Sequence, residues 1–513
     1  MINSLTGEPV PRALVQLNGQ TQESVLTGSD GRFHFDAVPE GQVVVNVRKP
    51  GFFEKEQGRL SSWVRSTVIV GPQTGPLTRT LVPESVIYGH VEDADGEPIE
   101  NARIRVSRIQ IQEGRKKREP ASEGQTDEDG NFRIADLVHG TYYVGVEVNS
   151  SLPRNLMDLS KEHREGYPAV VYYPASPDLS SAQPVSLAPG QKVELQFSLK
   201  RESLFRISGK IAGLPAGISP NIQWLDPSGD QIFFSMQFNA QDGTFRGMVP
   251  AGAYGLRVTA SGSNRQALLS EQSVNVESDL PSIHVSLAPG MSLPVIVRTE
   301  ITKETAETSG LNFNFTSSGR NYQEVNVQLS ATDASNRDAW ASFDPEEAQN
   351  SLDLHSLKVR DVLPGKYSVH VMPIRGDRYV QSARCGSLDL LRQELVVATG
   401  GQLPPIEIVL RDDGALLTGS VRNITADSST SLLIVPQFAP MQPARIVNMF
   451  SQGEFQSAGL APGDYKVFAF DSLDQLEYTN PEVLGQYASQ AATVTLSANG
   501  KANVAVDLIR IGE

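Results

Sequence analysis

The chain reads as an all-β protein, a tandem array of about five β-sandwich modules with few short helices. Three observations predict this. A unit made of a glycine turn, an aromatic residue, a second glycine and an alternating apolar run recurs along the sequence. The apolar residues that close each unit fall at period two, the spacing of a strand with one buried face. The 513 residues exceed one core. They make three or four domains at roughly 150 residues each, and more at the roughly 100 of a sandwich.

In the first copy Asp30-Gly31 precedes Phe33, Val38, Pro39 and Gly41, and in the second Asp129-Gly130 precedes Phe132, Leu137 and Gly140. The third runs Asp242-Gly243, Phe245, Val249, Pro250, Gly252, and the fifth runs Gly453, Phe455, Leu460, Pro462, Gly463. The fourth keeps only Val362, Pro364 and Gly365. Glycine to glycine is ten residues in the first, second and fifth copies and nine in the third. Asp-Gly supplies the positive φ of a two-residue turn, so Gly31, Gly130 and Gly243 are expected at hairpin tips.

After the second glycine, positions two, four and six are apolar: Val43/Val45/Val47, Tyr142/Val144/Val146, Tyr254/Leu256/Val258, Tyr367/Val369/Val371 and Tyr465/Val467/Ala469. Four of the five strands begin with Tyr, whose ring fills a core edge while its hydroxyl reaches the backbone, as in a tyrosine corner. Opening strands lie upstream at Gly89-His90-Val91, Gly209-Lys210-Ile211 and Gly419-Ser420-Val421. In the second copy Ala102-Arg103-Ile104-Arg105-Val106 alternates again after Asp95-Gly96. Boundaries before the opening strands give modules 1–84, 85–202, 203–290, 291–411 and 412–513. Helical patterns are confined to Leu152 to Arg164, Pro345 to Leu352 and Pro481 to Ser489, each read as a loop helix.

The first module is short at its start. Aligning Gly7-Glu8-Pro9-Val10 with Gly96-Glu97-Pro98-Ile99 sets Met1 opposite His90, leaving no counterpart of Val86 to Gly89. Two expectations compete. Upstream sequence supplies the strand and a secretion signal, since Met1 to Gly7 has neither the basic end nor the apolar core of one; or another subunit adds a strand, giving self-assembly through sheet edges. Ala502 to Gly512 is a candidate donor whose alternative duty is to close its own module.

The run Val86-Ile-Tyr-Gly-His-Val-Glu-Asp-Ala-Asp-Gly-Glu-Pro-Ile-Glu-Asn-Ala-Arg-Ile, followed by Thr126-Asp-Glu-Asp-Gly-Asn-Phe-Arg-Ile and Gly140-Thr-Tyr-Tyr-Val, resembles the carboxypeptidase regulatory-like domain. The resemblance is specific in the first and second copies, partial in the third and fifth, and weak in the fourth. It implies Ig-like, transthyretin-like β-sandwiches, a fold often grouped with carbohydrate-binding, starch-binding-like domains. Val171-Tyr-Tyr-Pro-Ala, Val185 to Gln191 and Tyr478 to Asp507 resemble long secreted proteins of soil bacteria built from such modules. That likeness implies an extracellular or cell-surface location. Such a scaffold hosts varied roles, so function rests on its sites.

Those sites offer little catalytic chemistry. Zinc peptidase catalysis needs a His-x-x-Glu pair and a distant His, and none of the seven histidines has Glu three residues on. No Gly-x-Ser-x-Gly elbow, phosphate loop or Gly-x-Gly-x-x-Gly occurs. The one cysteine, Cys385, lacks a neighbouring His and permits no internal disulfide. No cofactor is expected. Asp93-Ala-Asp95-Gly96-Glu97 and Asp127-Glu-Asp129-Gly130-Asn131 alternate oxygen ligands but hold Ile104 and Val138 where an EF-hand needs an acidic twelfth residue. They read as turns, with an unconventional calcium site the alternative.

A net charge of −15 opposes a nucleic-acid surface. No stretch approaches the 18 apolar residues of a membrane helix. Arg115-Lys116-Lys117-Arg118, flanked by Glu113 and Glu119, reads as a solvated hairpin extension. Trp63, Trp224 and Trp340 fall in different modules outside the shared pattern. They read as loop anchors or as sugar-stacking platforms, with Trp224 and Trp340 the candidate ligand-binding residues. The expected role is a non-catalytic secreted or cell-surface scaffold for structural assembly or adhesion, including as a filament subunit. The alternative is a carbohydrate-binding protein with a glycan partner.

Overall fold

The computed structural model describes residues 1–19, 22–36, 38–56, 59–61, 66–71, 74–148, 164–261, 267–302, 325–332, 338–343, 357–398, 401–424, 430–449 and 453–511. The chain is nearly all β. One pattern recurs in modules 2 to 5: the opening strand lies between an antiparallel neighbour and the closing strand, which runs parallel to it. In module 2, Ser85–Asp93 sits between Asn131–Leu137 and Lys192–Leu199. Glu202–Ala212 sits between Thr244–Pro250 and Leu280–Ser286. Met291–Glu300 lies between Leu357–Val362 and Ile406–Arg411, and Ala415–Arg422 between Glu454–Leu460 and Lys501–Ile509.

The second layer of each module is built on the strand after its second glycine. In module 2, Arg103–Gln112 is paired to both Arg115–Gln125 and Gly140–Glu147. The apolar members of the alternation enter a core of Ile104, Val106, Val144, Val146, Phe132 and Phe197. In module 4 the strand Ala339–Phe343 pairs with both layers and joins them.

The opening-strand glycines are required by close approach. A Cβ at Gly89 would collide with the Leu195 carbonyl, and one at Gly419 with that of Val504, because the parallel closing strand presses on them. All four expected tyrosine corners form. The hydroxyls donate to the carbonyl four residues back: Tyr142 to Val138 at 2.6 Å, Tyr254 to Pro250 at 3.2 Å, Tyr367 to Leu363 at 2.9 Å and Tyr465 to Ala461 at 2.8 Å. Each ring is buried.

The Asp-Gly turns differ from expectation in one respect. At Gly243 the turn closes a true hairpin between Met236–Asn239 and Thr244–Pro250. At Gly130 it is a corner instead: Arg115–Gln125 belongs to one sheet and Asn131–Leu137 to the other. The turn geometry is as the sequence demands, with Gly130 at φ +75° and the Asp127 carboxylate accepting from the N–H groups of Asp129 and Asn131. Only the direction of the departing strand distinguishes the two.

In module 1 the opening strand Ile2–Asn3 pairs in parallel with Thr80–Pro83. Residues 32–36, whose module 2 equivalents pair with Ser85–Asp93, form no ladder. The C-terminal strand closes its own module, paired with Ala415–Arg422 from Leu416↔Lys501 to Arg422↔Asp507, so it is occupied at home and not a free donor. Helix Pro481–Gly485 forms, capped by Asn480, whose side chain accepts from the Glu482 N–H. The other two expected helices fall almost entirely outside the described residues.

The basic run is more than the solvated extension the sequence reading expects: Lys116 and Lys117 are exposed, but Arg115 and Arg118 are half-buried. Its hairpin crosses from module 2 to three other modules. Arg115 donates to Ser330 Oγ at 3.0 Å, Lys116 pairs with Glu477 at 2.5 Å, and Arg118 pairs with Asp230. Thr479 donates to the Gly114 carbonyl, and Gly114 lies against the Tyr478 ring. Other junctions are also tied: Arg164 of module 2 grips Asp279 of module 3 with one guanidinium nitrogen, and Gln442 bonds both Val369 and Val371 across modules 4 and 5.

A candidate ligand cleft between modules 2 and 3

Alternation in module 2 sends Ile104 and Val106 inward and leaves Arg103 and Arg105 on the outer face of the sheet. Arg103 lies opposite Gln125 on one neighbouring strand and opposite Glu147 on the other. Arg103 pairs with Glu123 at 2.5 Å and lies 3.8 Å from Glu147, while Arg105 pairs with Glu147 and meets Asp230 of module 3 at 3.5 Å. This charged face is one wall of a cleft of about 650 Å³. Module 3 supplies the facing wall from Phe233, Phe234 and Ser235, with Met248 and Pro250 beside them.

Phe233 follows the short strand Gln231–Ile232 and stays 49% exposed. The Arg103 guanidinium sits 5.1 Å from its ring centroid, a cation–π contact across the junction. The hydrogen bond from Arg103 holds the Glu123 carboxyl below the ordinary carboxylate range. Burial raises Glu147 against the pull of Arg105 and Arg103. Below the cleft, burial also raises Asp226 and Tyr172, which share Arg118. The cations of this wall are thus matched by carboxylates.

The two tryptophans singled out by sequence part company here. Trp224 is a correction: it is 1% exposed, packed edge-on against Phe234 and Tyr254 in the module 3 core, and offers no face to a ligand. Its strand Asn221–Leu225 pairs with Gly252–Ser261, so it belongs to the core layer rather than to a loop. Trp340 is 59% exposed on Ala339–Phe343, directly opposite Gln328. The same sheet carries exposed Asn326 and Met372, paired with each other. Trp63 lies outside the described residues. The structure does not bring Trp224 and Trp340 together.

The acidic turns are occupied by their own backbone. One Asp93 carboxylate oxygen accepts from the N–H groups of Asp95 and Glu97 and the other from Arg201, which together hold its pKa low. Among the described residues no group of three or more His, Cys, Asp or Glu is arranged to hold a metal ion. Cys385 is buried, and burial pushes its thiol pKa up. No helix among the described residues is long and apolar enough to cross a membrane.

Fold and cleft together define a class: a protein of serial β-sandwich modules with polar, ion-paired junctions. Residues 1–73 and 86–200, the first two modules, each match the carboxypeptidase regulatory-like domain. No curated protein matches it. Among solved structures it is similar to the Bacillus anthracis TIE protein, with 13% identity, 56% of this chain and 49% of that one covered, and a TM-score of 0.16. Similarity to GBS52, the minor pilin of Streptococcus agalactiae, covers 38% of this chain and 85% of that one at 17% identity and TM-score 0.19. For the shaft pilin SpaA of Lactobacillus rhamnosus GG the figures are 41%, 99%, 9% and 0.15. With scores this low, the fold rests on the chain's own topology.

Proposed function

We propose that the chain is a non-catalytic, secreted or cell-surface scaffold for structural assembly or adhesion, including as a filament subunit. The observation that carries this reading is the bracing of the modules: the hairpin of module 2 bonds to modules 3, 4 and 5 at once. Independent binding modules on flexible linkers have no use for such ties, whereas a spacer or a subunit that must hold its shape does. The location follows the likeness of its tandem modules to secreted proteins. Immunolabelling of intact cells tests it together with sedimentation velocity across a concentration series. Surface labelling with concentration-dependent association supports the scaffold. Confinement to the cytosol overturns the location, and a strictly monomeric chain overturns the filament role.

Carbohydrate binding is the second reading. The exposure of Trp340 beside Gln328 and Asn326 favours it, since an open indole face with amide groups nearby suits a sugar ring.

A further inference from the structure

We propose that the cleft between modules 2 and 3 is a binding site for a short neutral oligosaccharide, with Phe233 as its stacking platform. The inference rests on the reading of the chain as a glycan binder and relocates the site away from both tryptophans. Its volume, about 650 Å³, falls within the roughly 300–1,000 Å³ of ligand pockets.

The ligand's charge follows from the walls. Arg103 and Arg105 are already paired with Glu123, Glu147 and Asp230. Neither is left over for a phosphate, sulfate or uronate. Conversely, a cationic ligand would have to displace Arg103 from Glu123. The groups with hydrogen-bonding capacity to spare are uncharged. Among the described residues the Gln125 amide has no side-chain partner, and the side-chain amide of Asn101, a residue held at φ +57°, donates to Glu100 and keeps its oxygen unspent. An uncharged ligand that offers many hydroxyls matches them.

The ligand's shape follows from the rings. Half of Phe233 is exposed although the ring is large and apolar, and Tyr167 stands on the same cleft. A pyranose has a C–H face that stacks on such a ring and an equatorial rim of hydroxyls that reaches the amides. A peptide is a poorer fit. The strand that carries Arg103 is paired on both sides, to Gln125 and to Glu147, so it has no backbone edge on which an extended peptide could add.

The test is a neutral-glycan array probed with the full chain, followed by calorimetric titration of the best glycan into the wild type and three variants, Phe233→Ala, Gln125→Ala and Trp340→Ala. Unchanged melting temperatures certify that the exposed sites leave the fold intact. We expect Phe233→Ala and Gln125→Ala each to weaken binding at least tenfold, Phe233→Tyr to restore it, and Trp340→Ala to stay within twofold of wild type. Binding that survives Phe233→Ala but fails in Trp340→Ala overturns the cleft and keeps the glycan reading. Binding restricted to sulfated or uronic-acid glycans on a companion acidic array overturns the neutral class. A wild type that binds none of them overturns the cleft and the glycan reading together, leaving the scaffold role untouched.

Discussion

Thr479 donates both its backbone N–H, at 3.3 Å, and its hydroxyl, at 2.6 Å, to the carbonyl of Gly114, 365 residues earlier. On a flexible chain, closing such a loop would cost about 5 kcal/mol. The two hydrogen bonds and the neighbouring Lys116–Glu477 pair return less than that, at about 1 kcal/mol per bond and less for the pair. The contact therefore stands because modules 3 and 4 fold in between and bring the two ends within reach.

Gly114 has φ +75°, and a Cβ there would come 2.6 Å from the Tyr478 ring. Gly114→Val should dislodge the hairpin tip without touching the module 2 core. Hydrogen exchange at the Thr479 amide is expected to accelerate at least tenfold while that of Val144 is unchanged. Equal protection of Thr479 in both proteins would show that the hairpin is not docked.

Tyr465 is buried and bonded to Ala461, with burial as the main cause that raises its pKa. Tyr465→Ala leaves a cavity and should cost module 5 about 3 kcal/mol or more. Tyr465→Phe loses one hydrogen bond and should cost about 1 kcal/mol. Denaturant-dependent hydrogen exchange of the Gly463–Phe470 strand reads both. A loss below about 0.5 kcal/mol for the alanine variant would remove the residue from the core.

The tryptophans should separate by stability alone. Trp224→Ala empties the centre of module 3 and is expected to cost about 3–5 kcal/mol, whereas Trp340→Ala, at an exposed strand position, should stay within about 0.5 kcal/mol. Denaturation of the two variants followed by module-resolved exchange decides it, and a reversed order would contradict the burial of Trp224.

Histidine 370 lies on Gly365–Pro373 with Arg115 and Asp338 facing it, and burial, reinforced by Arg115, lowers its pKa from 6.5 to about 4. Between those values the unfolded chain takes up a proton that the folded chain refuses. Stability of module 4 should therefore be fully present above about pH 6.5 and fall as the pH drops towards 4, by up to about 3 kcal/mol. His370→Gln should flatten that slope. A folded-state imidazole titrating near 6.5 by NMR would refute it.

The repeating strands were legible because their signal is local: period two after a glycine needs no knowledge of what lies opposite. The tyrosine corners were legible for the same reason, since the acceptor is only four residues away. Whether Gly130 closes a hairpin or turns a corner was not, because identical turn residues serve both. Phe233 and Arg103 were invisible as a pair. The alternation of Arg103 and Arg105 marked an outward face, but the ring that meets it comes from another module. Trp224 was misread because its strand, unlike the repeats, begins in a stretch without glycine spacing. The solvated lysines of the basic run were legible, but its anchoring was not, because the partners Ser330 and Glu477 lie hundreds of residues away.

The side-by-side, parallel placement of each opening and closing strand has a mechanical consequence. In module 2 the two are registered from Val86↔Lys192 to Asp93↔Leu199. Tension applied through the module's two ends pulls them in opposite directions along their length. The load then falls on the entire ladder in shear, and its bonds must give way together rather than unzip singly. Modules 3, 4 and 5 share this arrangement. Pulled from end to end, four of the five modules resist as shear-loaded joints.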